Sequence, residues 1–325
     1  MSAILISGRL PHPAVDALSR EHDVDYRETD GPIPRKELLQ RVAGKDALVC
    51  LLTEKVDAEL LEAAGPQLKI VANVAVGFNN IDVPAMDAAG VIATNTPAVL
   101  TEATADLAFG SILMVTRRLS EAERVIRTGQ TWQWGMFFML GSGLQGKILG
   151  VLGMGAIGQA VARRAKAFGM EIIYSDEREL DPAKAAELAA KRVDQDELLR
   201  TADVITLHAP LTPATEHLID ERALAMMKPS AYLINTSRGP VIKESALAHA
   251  LATGQIAGAA LDVFENEPLV NPELLTTDRA VLLPHIGSAT VETRTAMAEL
   301  AAQNVLRVLA GEDALTPVTT KRKLS

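Results

Sequence analysis

Six residues, Gly153-Met154-Gly155-Ala156-Ile157-Gly158, restrict this chain more than any other stretch. They follow a short apolar run, 147–152, and open a segment with helical apolar spacing at Val161 and Ala165. In a strand–turn–helix each glycine has a separate task. Gly153 permits the tight turn, Gly155 lets a pyrophosphate approach the backbone, and Gly158 lets helix and strand pack closely. The free N–H groups and the dipole at the helix start favour phosphate. The following strand, 171–174, runs to Asp176, 18 residues past Gly158. A carboxylate there accepts hydrogen bonds from ribose hydroxyls and repels a 2′-phosphate. The turn predicts a dinucleotide site that favours NAD. Arg178 keeps NADP open, because a nearby arginine can accommodate that phosphate.

Short apolar runs alternate with helical patterns on both sides of this turn. Runs 4–6, 47–52, 70–74 and 91–93 read as buried strands, with helices at 38–42, Ala58–Ala64 and 84–89. A second series has strands at Ile148–Leu152, 171–174, Val204–Leu207, Tyr232–Asn235, 256–261 and 281–283. Helices at 156–168 and 245–252 fall between them. Such alternation predicts α/β architecture, with parallel sheets covered on both faces. Between the two series, Leu107, Leu113 and Val115 lie at helical spacing and only one glycine intervenes, so 101–127 reads as one long helix. A closing helix, 290–309, carries Met297, Leu300, Val305 and Leu309 on one stripe. Two long helices flanking the second series predict a discontinuous first domain. It would comprise 1–100 plus 290–325, with 101–289 as the inserted domain.

A length of 325 residues suits two domains. With 48% hydrophobic and 22% charged residues, the chain is neither disordered nor a fibrous rod. A net charge of −9 argues against a broad nucleic-acid surface. The single cysteine, Cys50, excludes an intramolecular disulfide and a cysteine-based zinc cage, and we expect no metal. A reducing, cytoplasmic location fits. Met1 to Arg9 reads as a first strand rather than a secretory signal. No apolar run approaches the roughly 20 residues that span a bilayer, so no membrane partner is expected. Lys321-Arg322-Lys323 reads as a solvated tail.

Of the six histidines, His249 lies in a helical stretch and reads as structural, and His12 and His22 have no chemistry-bearing neighbours. His208 follows a strand and, with Ala209 and Pro210, reads as lining the crevice. His285 also follows a strand. Strand carboxyl ends are where doubly wound sheets bind ligands. Two more strand ends carry charge: Arg238, after Thr236-Ser237, and Glu267, after Asp262-Val263-Phe264. From spacing alone these groups either converge on one crevice or form an exposed ion pair with an unrelated histidine.

Five motifs occur together and in order: 73–82 (Asn-Val-Ala-Val-Gly-Phe-Asn-Asn-Ile-Asp), 153–158, 235–239, 262–268 and 284–288. With them the chain resembles the D-isomer-specific 2-hydroxyacid dehydrogenases over nearly its whole length. Within that family it is most similar to the glyoxylate/hydroxypyruvate reductases. The resemblance implies a Rossmann-like cofactor domain inserted into a flavodoxin-like substrate domain, an active site in the cleft between them, and a homodimer. Arg238 would bind the carboxylate and carbonyl of a small 2-oxo acid, a task that suits a planar guanidinium fork. His285 would give the carbonyl oxygen its proton, and Glu267 would hold the imidazole and favour its protonated form. The amides of Val76 and Gly77 would clasp the substrate carboxylate, with Leu52 and Trp134 lining the pocket. Cofactor contacts would come from Thr104, Gly153, Gly155, Ala156, Ile157, Gly158, Asp176, Ala209, Pro210, Thr236, Ser237, Asp262 and Gly287.

Departures from relatives narrow the choice. Glu267 stands where formate dehydrogenases carry glutamine, and Val76 stands where phosphite dehydrogenase-like sequences carry a lysine. The end at Ser325 argues against a long 3-phosphoglycerate dehydrogenase with a regulatory domain. Ala156 replaces a frequent arginine, which implies a lost pyrophosphate contact. Trp132 and Trp134 fall in an aromatic segment, 132–140, that reads either as a subunit contact or as core packing. In the reductases resembled, a tryptophan matching Trp134 reaches the neighbouring subunit's site. Two other readings stay open: a dehydrogenase of a bulkier, sugar-derived or phosphorylated 2-hydroxy acid, decided around Leu51, Leu52 and Trp134, and an NADH-sensing co-repressor-like protein.

Overall fold

A computed structural model describes residues 1–319, so the basic run 321–323 lies outside the described residues. The chain forms two compact units, Met1–Leu100 with the chain from Ser288 onward, and Thr101–Gly287. The first unit alternates β1 (Ala3–Ile6), α1 (His12–Ser19), β2 (Asp23–Tyr26), α2 (Arg35–Val42), β3 (Ala47–Cys50), α3 (Ala58–Ala64), β4 (Ile70–Asn73), α4 (Val83–Ala89) and β5 (Ile92–Thr94). Its sheet is parallel, in the order β2-β1-β3-β4-β5. That is the flavodoxin-like order. Both faces of β3 and β4 are buried, which is why they read as unbroken apolar runs rather than alternating ones. Asp57 and Asp82 start α3 and α4 by accepting the amides of Leu60 and Ala85.

The second unit contains α5 (Thr101–Thr116), α6 (Leu119–Arg127), β6 (Ile148–Leu152), α7 (Ala156–Ala167), β7 (Glu171–Ser175), α8 (Pro182–Leu188), β8 (Ala190–Arg192), α9 (Gln195–Thr201), β9 (Val204–Leu207), α10 (Glu221–Met226), β10 (Tyr232–Asn235), α11 (Glu244–Thr253), β11 (Gly258–Leu261), α12 (Pro272–Leu275) and β12 (Ala280–Leu282). Its seven parallel strands follow the order β12-β11-β10-β9-β6-β7-β8. Counted from β6, this is the Rossmann order extended by one strand. The topological switch point lies between β6 and β9, where the chain order reverses. The chain then returns to the first unit through α13 (Val291–Leu309), which packs on α1, β3 and β4. The expected fold class is the one observed. Among the described residues no helix is long and apolar enough to cross a membrane.

Several expectations need correction. The helix foreseen over 101–127 is two helices. Thr116 gives its carbonyl to the Ser142 amide at 2.7 Å, and Arg118 turns into the left-handed region at φ 54°. Gly141 makes the break possible, because a Cβ there would stand 2.4 Å from the Thr116 oxygen. Periodicity cannot register a distant loop that seats against a helix end. The pattern also missed β2 and β8, which are polar edge strands with one neighbour each, and α1, only two turns long. On α13 the expected Met297 and Val305 are buried, but Leu300 and Leu309 are only half-buried, and Ala298, Ala301, Ala302 and Val308 fill the rest of the stripe. His249 faces solvent and is no part of the core.

Candidate active site

Six chain segments of the second unit leave their strands at the carboxyl edge of one sheet. They carry Gly153 after β6, Asp176 after β7, His208 after β9, Arg238 after β10, Asp262 after β11 and His285 after β12. A parallel sheet delivers all its strand ends to one edge, so topology alone assembles these residues.

The glycine turn has the geometry its spacing predicts. Gly153 adopts φ 93°, and a Cβ there would lie 2.5 Å from the Ala209 nitrogen and 2.7 Å from the His208 carbonyl carbon. At Gly158 a Cβ would stand 2.3 Å from the Gly153 oxygen, so α7 sits against the turn. Gly155 has nothing within 4 Å of its Cβ position, which leaves the backbone at the start of the twelve-residue α7 open to a ligand. No side chain caps that helix, and Ala156 is exposed beside it. Asp176 closes the turn from the side: one carboxylate oxygen accepts the Met154 amide at 2.6 Å, the other the Arg178 amide at 2.9 Å. Met154, Gly155, Gln159, Asp176, Arg178 and Lys184 line an open cleft of about 220 Å³ there. The Thr236 hydroxyl is buried with no hydrogen-bond partner in the protein. An open phosphate cradle, a carboxylate lining the same cleft and an unsatisfied hydroxyl on the same sheet edge fit a dinucleotide.

The loops that carry the charged groups are held by side chains at the strand ends. Asn235 accepts the Ser237 amide and hydroxyl at 2.9 and 2.8 Å and donates to the Arg238 carbonyl at 2.9 Å. Asp262 accepts the amides of Ile286 and Gly287, both at 2.8 Å, and the Thr104 hydroxyl donates to the Gly287 carbonyl at 3.2 Å. Burial pushes the Asp262 carboxyl up, against the pull of those amides and of His285. Asn235 was visible only as part of a motif; its role as the clamp of the Arg238 loop emerges from geometry.

Glu267 and His285 meet: Nδ1 of the imidazole lies 2.8 Å from Oε2, and Oε1 accepts the Phe264 amide at 3.0 Å. His285 itself adopts φ 54°. Burial works to raise the Glu267 pKa, yet the hydrogen bond and charge of His285, the Phe264 amide and the Arg238 cation hold it below the ordinary carboxylate value. Burial lowers the Arg238 pKa, opposed by the charge of Glu267. The histidine is therefore hydrogen-bonded to Glu267 rather than unrelated to it, and the Arg238 charge acts on the same carboxylate. His208 is different. It is half-buried, its Nε2 lies 2.9 Å from the Thr206 hydroxyl, and burial pushes its pKa down to about 3. Among the described residues no cluster of three or more histidine, cysteine or acidic side chains is placed to hold a metal.

In the first unit, Val76 and Gly77 follow β4 on a loop whose carbonyls are pinned inward. Asn95 donates to the Val76 oxygen at 2.8 Å and Asn73 to the Gly77 oxygen at 3.0 Å. Leu52 follows β3 and is 41% exposed. Trp132 and Trp134 are 51% and 78% exposed, so core packing within the chain does not explain them.

The D-isomer specific 2-hydroxyacid dehydrogenase NAD binding domain matches residues 109–287. A glyoxylate reductase of Thermococcus litoralis is 48% identical over 314 residues, 95% of this chain and 94% of its own length. A solved glyoxylate reductase from Paecilomyes thermophila is 37% identical, with a TM-score of 0.88 over 98% of both chains. An NADPH-dependent glyoxylate/hydroxypyruvate reductase from Sinorhizobium meliloti, solved with NADP and malonate, is 33% identical, with a TM-score of 0.86 over 100% of this chain and 99% of its own. The chain belongs to the D-isomer specific 2-hydroxyacid dehydrogenases. It is an oxidoreductase with an NAD-binding domain.

The desolvated histidine gives a direct test. Between pH 6.5 and about 3 the unfolded chain binds a proton at His208 that the folded chain refuses. Its contribution to stability is therefore full above pH 6.5 and is lost as pH falls through that window. We expect its ring signals in NMR spectra to stay flat from pH 8 to pH 5; a midpoint near 6.5 would contradict the burial described here.

Proposed function

We propose that this chain is a glyoxylate reductase, reducing glyoxylate to glycolate and hydroxypyruvate to D-glycerate with NADH. The observation that carries the reading is the hydrogen-bonded Glu267–His285 pair, with the Arg238 charge acting on Glu267, on the sheet edge that also presents the glycine cradle. The names of the relatives support the substrate. One guanidinium nitrogen of Arg238 donates to the Ser237 carbonyl at 2.6 Å, and its remaining N–H donors bind the carboxylate and carbonyl of the 2-oxo acid. In the first unit, the amides of Val76 and Gly77 are the donors we assign to the substrate carboxylate. Glu267 occupies Nδ1 of His285, so Nε2 is the nitrogen left to face substrate. That nitrogen gives its proton to the carbonyl oxygen as the carbonyl carbon is reduced, and Nδ1–H stays on Glu267. A bound nicotinamide cofactor supplies the hydride.

Gly153 and Gly158 shape the turn from which Gly155, Ala156 and Ile157 hold the pyrophosphate, and Thr104, Ala209, Pro210, Thr236, Ser237, Asp262 and Gly287 complete the cofactor's surroundings. Asp176 selects NAD. Its carboxylate lies on the Met154 amide, and its charge opposes a 2′-phosphate; Arg178 beside it is what would let NADP in. The protein acts as a homodimer in the cytoplasm. Helix α6 buries no residue against its own chain. Half of the exposed large apolar side chains among the described residues fall between Leu119 and Leu140. A patch of that kind on one stretch marks an interaction surface. Trp134, at 78% exposure, is the side chain that reaches the neighbouring subunit's pocket.

NADH oxidation at 340 nm with a panel of 2-oxo acids tests the reading. Glyoxylate and hydroxypyruvate should turn over fastest; a preference for pyruvate, 2-ketogluconate or 3-phosphohydroxypyruvate would move the substrate and keep the mechanism. His285→Ala should lower kcat by about 10²–10⁴-fold with NADH binding near normal. Lost NADH binding in a folded variant would contradict its role. Replacing Asp176 by alanine should narrow the kcat/KM preference for NADH over NADPH by about tenfold, the worth of charge-assisted hydrogen bonds. An unchanged ratio would remove Asp176 as the selector. Light scattering should give twice 34.7 kDa; a monomer at assay concentration would sink the dimer.

A further inference from the structure

Between Phe264 and Asn271 the chain forms neither strand nor helix, yet this stretch carries Glu267. It is held from below by Glu244, the first residue of α11, which is only 5% exposed. Its Oε1 accepts the Glu265 amide, and its Oε2 accepts the Asn271 amide at 3.3 Å. One carboxylate thus spans the loop from a point two residues before Glu267 to a point four residues after it. Glu265 answers the contact. Its Oε2 accepts the Glu244 amide at 3.2 Å, one of the donors that a helix start leaves unpaired. The other oxygen of Glu265 lies 2.7 Å from Nε2 of His217. The His217 amide donates in turn to the Pro240 carbonyl at 2.7 Å, two residues beyond Arg238. A continuous path, Asn271–Glu244–Glu265–His217–Pro240, therefore ties the loop of Glu267 to the loop of Arg238.

Burying a carboxylate is costly unless its hydrogen bonds are made. Burial raises the Glu244 pKa against the two amide bonds, and the negative charges of Glu265 and Glu267 add to the rise. A neutral residue of similar size would avoid that cost but could not accept both amides. What the acid provides is the fixed separation of the loop's two ends.

We propose that Glu244 is a positioning residue for the reaction: it sets the loop 264–271 so that Glu267 meets Nδ1 of His285. The inference rests on the roles assigned above to Glu267 and His285. The proposed route of action is through Glu267; action through the Arg238 loop, along Glu265 and His217, is the alternative that the cycle below separates from it.

A double-mutant cycle on the full-length enzyme tests this, with glyoxylate and NADH as the probes. E244Q, E267Q and the double variant are compared for kcat, KM, the pH profile of kcat, and NADH affinity by fluorescence. E244Q should lower kcat about tenfold, leave NADH affinity within about twofold, and move the pH profile in the same direction as E267Q. In the E267Q background the same substitution should change kcat by less than about twofold, because its route of action is already gone. Equal losses in both backgrounds, or wild-type kcat in E244Q, overturn the proposal. If E267Q itself keeps the wild-type kcat and pH profile, the fault lies with the assignment of Glu267, and the proposal falls with it. Should E244Q fail to fold, E244D, which keeps the charge on a shorter arm, carries the same cycle.

Discussion

Two backbones approach each other at Gly239 more closely than any side chain would allow. A Cβ at this position would stand 1.9 Å from the carbonyl carbon of Phe264 and 2.4 Å from the nitrogen of Glu265. This contact brings the loop after β10 onto the loop after β11. Arg238 lies one residue before it, and Glu267 lies three residues beyond Phe264, so the cation and the acid are placed by main chain rather than by long side chains. Asn235 and Asp262 then fix the two neighbouring loops through amides. Flexible side chains lose little freedom when the backbone has already set their roots, which is the physical content of preorganisation.

The two carboxylates of this edge show how environment divides the work. Asp262 and Glu267 are five residues apart in the chain. Asp262 is buried and spends both oxygens on backbone amides, and its pKa rises. Glu267 shares its oxygens between one amide and an imidazole, and its pKa falls. The first shapes a loop and the second holds an imidazole. The difference lies in the partner, not in the acid.

What could be read from the amino acids follows the same logic. The glycine turn was legible because each missing Cβ is itself a sequence signal, and the three positions meet obstacles or open space as their spacing implies. The central strands were legible because burial on both faces writes continuous apolar runs. The Arg238, Glu267 and His285 set could be placed on strand ends, but its convergence needed the strand order, which no local pattern contains. The break at Arg118 and the clamp at Glu244 were hidden for a related reason. Each depends on a residue far along the chain, Gly141 in one case and Asn271 in the other. The exposure of the segment around Trp134 was equally hidden, because aromatic residues suit a core and an interface alike.

The late position of α13 has a consequence for synthesis on the ribosome. Its alanine face covers Ile4, Ile6, Val49 and Ile70, side chains made from the first quarter of the chain. Nearly two hundred residues of the second unit must be translated before that cover exists. At roughly 5–20 residues per second the wait is on the order of 10–40 seconds. During it one face of the first sheet has only α1 as its helical cover, while the second unit, contiguous in sequence, is already complete. The nascent first unit is therefore a client for whatever shields apolar strands in the cell, and the second unit is the one able to mature alone.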